Sequence, residues 1–208
     1  MARYTDADCK LCRREKIKLF LKGTKCETPK CPIEKRPFPP GEHGRSRTKE
    51  TEYLMQLREK QKARRIYGVL ERQFRNYYTE ASHMKGITGE NLLRLLESRI
   101  DNVLFRAGFA LSRDQARQLV RHGHVELNGK RLSIPSARVR VGDTLTVAEK
   151  SRRMQPFLHA IAVNENRNTP SWVQVDKDLM KATVTGLPGR ADIDIPVQES
   201  MIVELYSK

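Results

Sequence analysis

The chain has 208 residues, 38% of them hydrophobic, enough for one large domain or two small ones with modest cores. No apolar run approaches the roughly 20 residues of a membrane helix, and the opening Met-Ala-Arg-Tyr-Thr-Asp carries no apolar signal region, so a soluble cytoplasmic protein is expected. Forty Lys and Arg against 25 Asp and Glu give a formal charge of +15, which points to a polyanionic partner, nucleic acid before others. The excess is uneven: residues 1–50 carry 14 basic and 7 acidic side chains, 51–100 carry 10 and 6, 101–150 carry 9 and 5, and 151–208 carry 7 and 7. The partner surface is therefore expected in the first 150 residues.

All four cysteines fall in the first 31 residues, as Cys9-Lys-Leu-Cys12 and Cys26-Glu-Thr-Pro-Lys-Cys31, with thirteen residues between the pairs. Two close pairs joined by a short loop suit a tetrahedral thiolate site: each pair forms a knuckle, and the spacer lets one knuckle face the other. Thiolates select Zn²⁺ first and an iron–sulfur cluster second. Two disulfides, the competing arrangement, require an oxidising compartment. Four protein ligands leave no open position for water, so such a metal is structural. It would hold Lys10, Arg13, Arg14, Lys16, Lys18, Lys22, Lys25 and Lys30 in a set array.

Next comes Arg36-Pro-Phe-Pro-Pro-Gly-Glu-His-Gly-Arg45, whose prolines and glycines forbid a helix interior and predict an extended basic tether. Arg13, Arg14, Arg45 and Arg47 are candidate RNA contacts of this arm. Residues 50–66 predict a helix with Tyr53, Leu54 and Leu57 on one side and Arg58, Lys62 and Arg65, further candidate contacts, on another; Gly68 breaks it. A second helix places Phe74, Tyr77, Tyr78 and Ala81 at i, i+3, i+4 and i+7, a stripe that fits a core better than base stacking. A third, carrying Leu92, Leu93, Leu96, Ile100, Val103 and Leu104, is expected to run to Gly108.

Ser112-Arg-Asp-Gln115 fits a capping box, and Gly123 suits the C′ position of the helix that follows. Arg113, Arg117 and Arg121 share one face of that helix, spread over about 80°. Ala116, Leu119 and Val120 take the apolar face beside it. The helix is thus expected to dock on a core and project three guanidiniums outward, where a planar fork suits phosphate. Val125-Glu-Leu127, Asn128-Gly129 and Lys130-Arg-Leu-Ser-Ile134 predict a type I′ hairpin, which adds Lys130 and Arg131 near the helix end. A second strand pair is expected over 139–141 and 144–147. Residues 151–170 are polar and less patterned, short strands are expected around 172–175 and 182–184, and Met201-Ile-Val-Glu-Leu-Tyr206 reads as a strand.

The segment Leu111-Ser-Arg-x-Gln-Ala-Arg-x-Leu-Val-x-x-Gly-x-Val-x-Leu-Asn-Gly129 resembles the RNA-binding module named after small-subunit ribosomal protein four. Arg36-Pro-Phe-Pro-Pro-Gly-Glu-His-Gly44, Arg58-Glu-Lys-Gln-Lys-Ala-Arg-Arg-Ile-Tyr-Gly68, Glu97-Ser-Arg-Ile-Asp-Asn-Val103 and Glu204-Leu-Tyr-Ser-Lys208 resemble the bacterial ribosomal family itself, over nearly the whole chain. The resemblance implies an α+β protein. A metal-binding basic arm and tether (1–45) precedes a helical domain (46–96, completed by 187–208) and an α/β RNA-binding module with a small, mostly antiparallel sheet (97–186). It implies a primary binder of the 16S rRNA 5′ domain that nucleates assembly and influences decoding accuracy. Neighbouring small-subunit proteins near the channel where mRNA enters are implied partners. Some family members also repress their own mRNA. The family has forms with and without cysteines, and this chain matches the first at Cys9, Cys12, Cys26 and Cys31.

Two other classes use the same module. Pseudouridine synthases carry an Asp in an Arg-Leu-Asp context, which Ser98-Arg-Ile-Asp101 resembles, but their catalytic domain has no room here, and no Walker loop, His-Glu-x-x-His or Gly-x-Ser-x-Gly motif occurs. The five histidines offer no ligand spacing beyond His122-Gly-His124. Stand-alone stress proteins are mostly module plus tail, without the knuckles and helical region.

Overall fold

The computed structural model describes residues 3–46 and 49–207; Arg47 therefore lies outside the described residues. In chain order the helices are α1 (Asp8–Glu15), α2 (Pro32–Lys35), α3 (Glu52–Ile66), α4 (Glu71–His83), α5 (Thr88–Glu97), α6 (Ile100–Arg106), α7 (Arg113–Arg121), α8 (Gln155–Val163) and α9 (Glu199–Ser207). The strands are β1 (Val125–Leu127), β2 (Lys130–Leu132), β3 (Thr144–Val147), β4 (Val173–Asp176) and β5 (Lys181–Val184). The α+β class holds. The chain divides into two compact units, residues 1–92 with 195–208, and residues 93–194. Among the described residues no helix is long and apolar enough to cross a membrane.

In the first unit α3 starts at Thr51, whose hydroxyl accepts the Leu54 N–H at 3.2 Å, and stops before Gly68, which takes φ +62°. The aromatic stripe of α4 turns inward: Phe74, Tyr77 and Ala81 are buried. The tail, predicted as a strand, is instead the helix α9, which packs on α3. Gln56 donates to Glu204 at 3.1 Å, and Tyr206 donates to Glu71 at 2.9 Å while stacking on Tyr78 at 4.5 Å. Gly89 admits this helix closely, because a Cβ there would lie 2.7 Å from Glu199 Cγ.

The second unit is built on an antiparallel sheet of order β2-β1-β3-β5-β4. Asn128 and Gly129 sit at φ +51° and +74°, as a type I′ turn requires, and register Leu127 against Lys130. The core gathers Val103, Leu104, Phe109, Val120, Val125, Leu145, Phe157 and Trp172, all buried. Burying Phe157 alone is worth roughly 1.5–3 kcal/mol.

Three further expectations are corrected. The third helix is two, α5 and α6, because Ser98 and Arg99 leave the helix: Arg99 is extended, forms an isolated antiparallel bridge with Arg138, and Val139 N–H donates to the Ser98 carbonyl at 2.9 Å. That same pairing takes 139–141 away from the expected hairpin, so β3 pairs with β1 and β5 instead. Residues 151–170 contain α8, whose Phe157 and Ala160 are buried.

Candidate nucleic-acid interface

Ser112 begins α7 as its N-cap, its hydroxyl accepting the Gln115 N–H at 3.2 Å. Gln115 reaches back one residue further than a capping box does, taking the Leu111 N–H at 2.7 Å. At the other end Gly123 (φ +74°) closes the helix, with Gly123 N–H on the Val120 carbonyl and His124 N–H on that of Leu119. This is the paired bond pattern that a left-handed glycine permits. Arg131 of β2 completes the cap, donating to the Gly123 and His122 carbonyls at 3.1 and 3.2 Å. A cation is thereby fixed at the negative end of the helix dipole. Arg121, Lys130 and Arg131 are exposed around this cap. His124 contacts Ser151 Oγ at 2.9 Å, and burial, with His122 and Arg131 nearby, holds its imidazole below the ordinary range.

The outward projection expected of Arg113 and Arg117 is corrected. Asp101 grips Arg99 through two contacts, at 3.0 and 2.5 Å, and takes Arg117 at 3.4 Å. Glu97 takes Arg106 bidentately at 3.0 and 2.8 Å, holds Asn102 at 2.7 Å and lies 3.9 Å from Arg113, whose Nε donates to Asn102 Oδ1 at 2.8 Å. Arg113 also lies over Phe105, 4.5 Å from the ring centroid, and Arg167 lies 4.3 Å from the same ring. Arg117 is buried and the Arg113 side chain is 14% exposed. The helical wheel placed the arginines together, but their carboxylate partners come from the α5–α6 connection, which a wheel of α7 does not contain. One signal was present: the acids are spaced 97 and 101, the bases 113 and 117, both at i, i+4. Asp101, 3% exposed and bonded through both oxygens, faces no substrate.

In the first unit, Arg58 and Arg65 both converge on Glu15, whose side chain is 1% exposed. Burial pushes the Glu15 carboxyl above the usual range, ahead of the opposing pull of Arg65 and Arg58. Lys62 pairs with Glu59. Arg14, Arg58, Lys62 and Arg65 line one cleft of about 560 Å³, with Leu54, Met55 and Met201 supplying its apolar lining. The proline-rich segment is packed, not extended. The Arg13 and Arg45 guanidiniums lie over the Phe38 ring, 5.2 and 4.6 Å from its centroid, and Arg13 and Arg14 donate to the Phe38 and Pro40 carbonyls.

Cys9 and Cys12 lie one turn apart on α1, Cys26 ends a short 3₁₀ turn, and Cys31 caps α2. All four are unpaired thiols, three of them buried. Among the described residues no group of three or more His, Cys, Asp or Glu side chains is set to hold a metal ion as it stands. The donor chemistry nevertheless fits a soft cation. The Lys22 N–H donates to Cys26 Sγ at 3.3 Å, and a backbone N–H at Leu19 favours the Cys12 thiolate. Burial first, and then the other three sulfurs, push the Cys12 thiol up to about 11.

Residues 3–97 match the family model described as ribosomal protein S4/S9 N-terminal domain, and residues 98–145 match the S4 domain. The chain is 67% identical over 208 residues to the small ribosomal subunit protein uS4 of Acidothermus cellulolyticus, covering all of both chains. It is 60% and 59% identical to proteins of that name from Frankia casuarinae and Frankia alni, again over the full length of each.

Proposed function

The chain belongs to the uS4 family of small ribosomal subunit proteins, and from that membership we propose how its parts share the work of holding rRNA. It is a structural, rRNA-binding component of the small subunit of the cytoplasmic ribosome, not an enzyme. In our reading it binds the 16S rRNA 5′ domain early, nucleates assembly there, and bears on decoding accuracy through neighbouring small-subunit proteins near the channel that admits mRNA. Repression of its own mRNA belongs to the same reading. The observation that carries it is the cap of α7: Arg121, Lys130 and Arg131 stand exposed around a helix end that Gly123 and a type I′ hairpin hold rigid. Those three are the contacts proposed for the second unit. Arg13, Arg14, Arg45, Arg58, Lys62 and Arg65 are those proposed for the first, with Arg47 assigned on sequence alone; Arg113 and Arg117, turned onto Glu97 and Asp101, are not among them.

A double-stranded RNA groove offers shape, phosphates and 2′-hydroxyls more than readable base edges, so rigidity of the cationic array favours selective binding. The test is affinity for a 5′-domain transcript against an unrelated RNA across a salt series. Tight, transcript-selective binding that persists as salt rises supports the reading. Equal binding to both RNAs, lost steeply with salt, would reduce the +15 to a generic polycation.

Cys9, Cys12, Cys26 and Cys31 would hold Zn²⁺, with an iron–sulfur cluster as the other thiolate-bound candidate. The metal, when bound, supplies a structural cross-link between α1 and the loop up to α2. Because cysteine binds a metal as the thiolate, uptake releases protons and strengthens with pH. Metal analysis of the purified protein, before and after chelation, decides it. Cys26→Ser is expected to lower metal content and to speed amide exchange over residues 8–45 while leaving residues 98–145 protected. Absence of stoichiometric metal would sink this assignment, whereas unfolding of both stretches on metal removal would show the division into arm and module to be wrong.

A further inference from the structure

The α5–α6 connection contributes nothing to the exposed cations, yet it holds the most completely bonded acids of the second unit. Glu97 closes α5 and Asp101 sits in the first turn of α6, with residue exposures of 0% and 3%. Each carboxylate grips one local arginine, Arg106 for Glu97 and Arg99 for Asp101. Each also receives one arginine from α7: Arg113, 3.9 Å from Glu97 and bonded to Asn102, and Arg117, 3.4 Å from Asp101. Arg113 and Arg117 are one helical turn apart, so α7 is held at two successive turns, and rotation about its axis would break both contacts. Ionised carboxylates engaged by guanidiniums in a desolvated setting form the stronger class of hydrogen bond, with fixed geometry. The held helix ends, less than two turns beyond Arg117, in the cap where Arg121 and Arg131 are exposed.

We infer that Glu97 and Asp101 are positioning residues for RNA recognition: a two-point ionic clamp that fixes the rotation of α7, and with it the direction in which Arg121 and the Arg131-bearing hairpin meet the RNA. This inference rests on the reading of the second unit as an rRNA binder. The acids act through Arg113 and Arg117, and they select for a particular RNA shape without touching it. A loosened clamp leaves the charges in place and scatters their directions, so selective binding suffers and generic binding does not.

The test uses the full chain and four variants: Asp101→Asn, Glu97→Gln, Arg117→Gln, and Asp101→Asn with Arg117→Gln. Asp101→Asn keeps shape and removes charge. It is expected to weaken 5′-domain transcript binding about tenfold, the equivalent of one charge-assisted hydrogen bond. Affinity for an unrelated RNA and the slope of log affinity against log salt should stay as in the parent, because no phosphate contact is lost. Amide exchange over 113–123 should quicken without RNA present. In the Arg117→Gln background the added Asp101→Asn change should alter affinity less than twofold, since its route is already cut. Parental affinity and exchange in Asp101→Asn would overturn the clamp, and so would a full tenfold loss repeated in the Arg117→Gln background. If Asp101→Asn does not fold, Glu97→Gln is judged by the same affinity, salt-slope and exchange criteria. A parent that does not discriminate between the RNAs would instead refute the rRNA-binding reading, while exchange over 113–123 still decides whether the acids hold the helix.

Discussion

Both units bury a carboxylate among arginines, and they do so with different completeness. In the second, Asp101 takes three guanidinium contacts and the Asn102 N–H over both its oxygens. In the first, the contacts of Arg58 and Arg65 both fall on Glu15 Oε1, while Glu15 Oε2 and the Nε atoms of Arg58 and Arg65 are buried without a hydrogen-bond partner among the described residues. A complete cluster suffers most from the loss of a member, because the remaining charge is stranded away from water. An incomplete one beside a cleft is already short of partners, and burial raises the pKa of its acid. The difference marks the acid of the second unit as fully compensated and that of the first as only partly so.

The comparison breaks first, and most visibly, at Asp101. Asp101→Ala is expected to lower the stability of the second unit by about 3 kcal/mol, since the buried guanidiniums of Arg99 and Arg117 each lose an ionic contact. The single Trp172, 3% exposed in that core, reports its unfolding in denaturant. A loss below about 1 kcal/mol would mean the cluster is no more complete than that of Glu15. Gly123→Ala should cost the same unit about 1 kcal/mol, from the strain of a non-glycine residue at φ +74° and from a Cβ falling 2.2 Å from the Arg131 side chain, which must swing off its cap. Trp172 fluorescence again measures it.

Glu15→Gln sharpens the contrast with the smallest effect, below about 1 kcal/mol at pH 7, because burial opposes the carboxylate that Arg65 and Arg58 favour. The sign follows from linkage. The folded carboxyl of Glu15 is raised above its ordinary 4.5, so its ionisation opposes folding. The associated stability is present below pH 4.5 and fades as pH rises through the raised value. The Gln variant lacks that loss. Protection of α3 amides should therefore match the parent at low pH and not fall below it at pH 7. A clear loss of protection at neutral pH would show Glu15 to be as well compensated as Asp101.

Local chemistry written in consecutive residues was readable in advance. The Asn128-Gly129 hairpin, the Ser112 cap, the Gly123 stop and the inward face of Phe74, Tyr77 and Ala81 each follow from a few neighbouring side chains, and each is present. What escaped depends on distant partners. Met201–Tyr206 is a short apolar run whose periodicity does not separate strand from helix, and α3, about 140 residues earlier in the chain, decides it. The break at Ser98 and Arg99 follows from pairing with Arg138 and Val139. The inward turn of Arg113 and Arg117 follows from Glu97 and Asp101, on other elements. Candidate contacts at the hairpin were thus easier to place than those on the face of α7.

The docking of α9 on α3 also sets a schedule for synthesis. Gln56 meets Glu204 across 148 residues and Glu71 meets Tyr206 across 135, so the first unit is chained to a segment translated after all of residues 93–194. The second unit needs no such delay, since its contacts close within its own stretch. On a translating ribosome the earlier-encoded body therefore stays incomplete until α9 emerges, when Tyr206 reaches the rings of Phe74 and Tyr78.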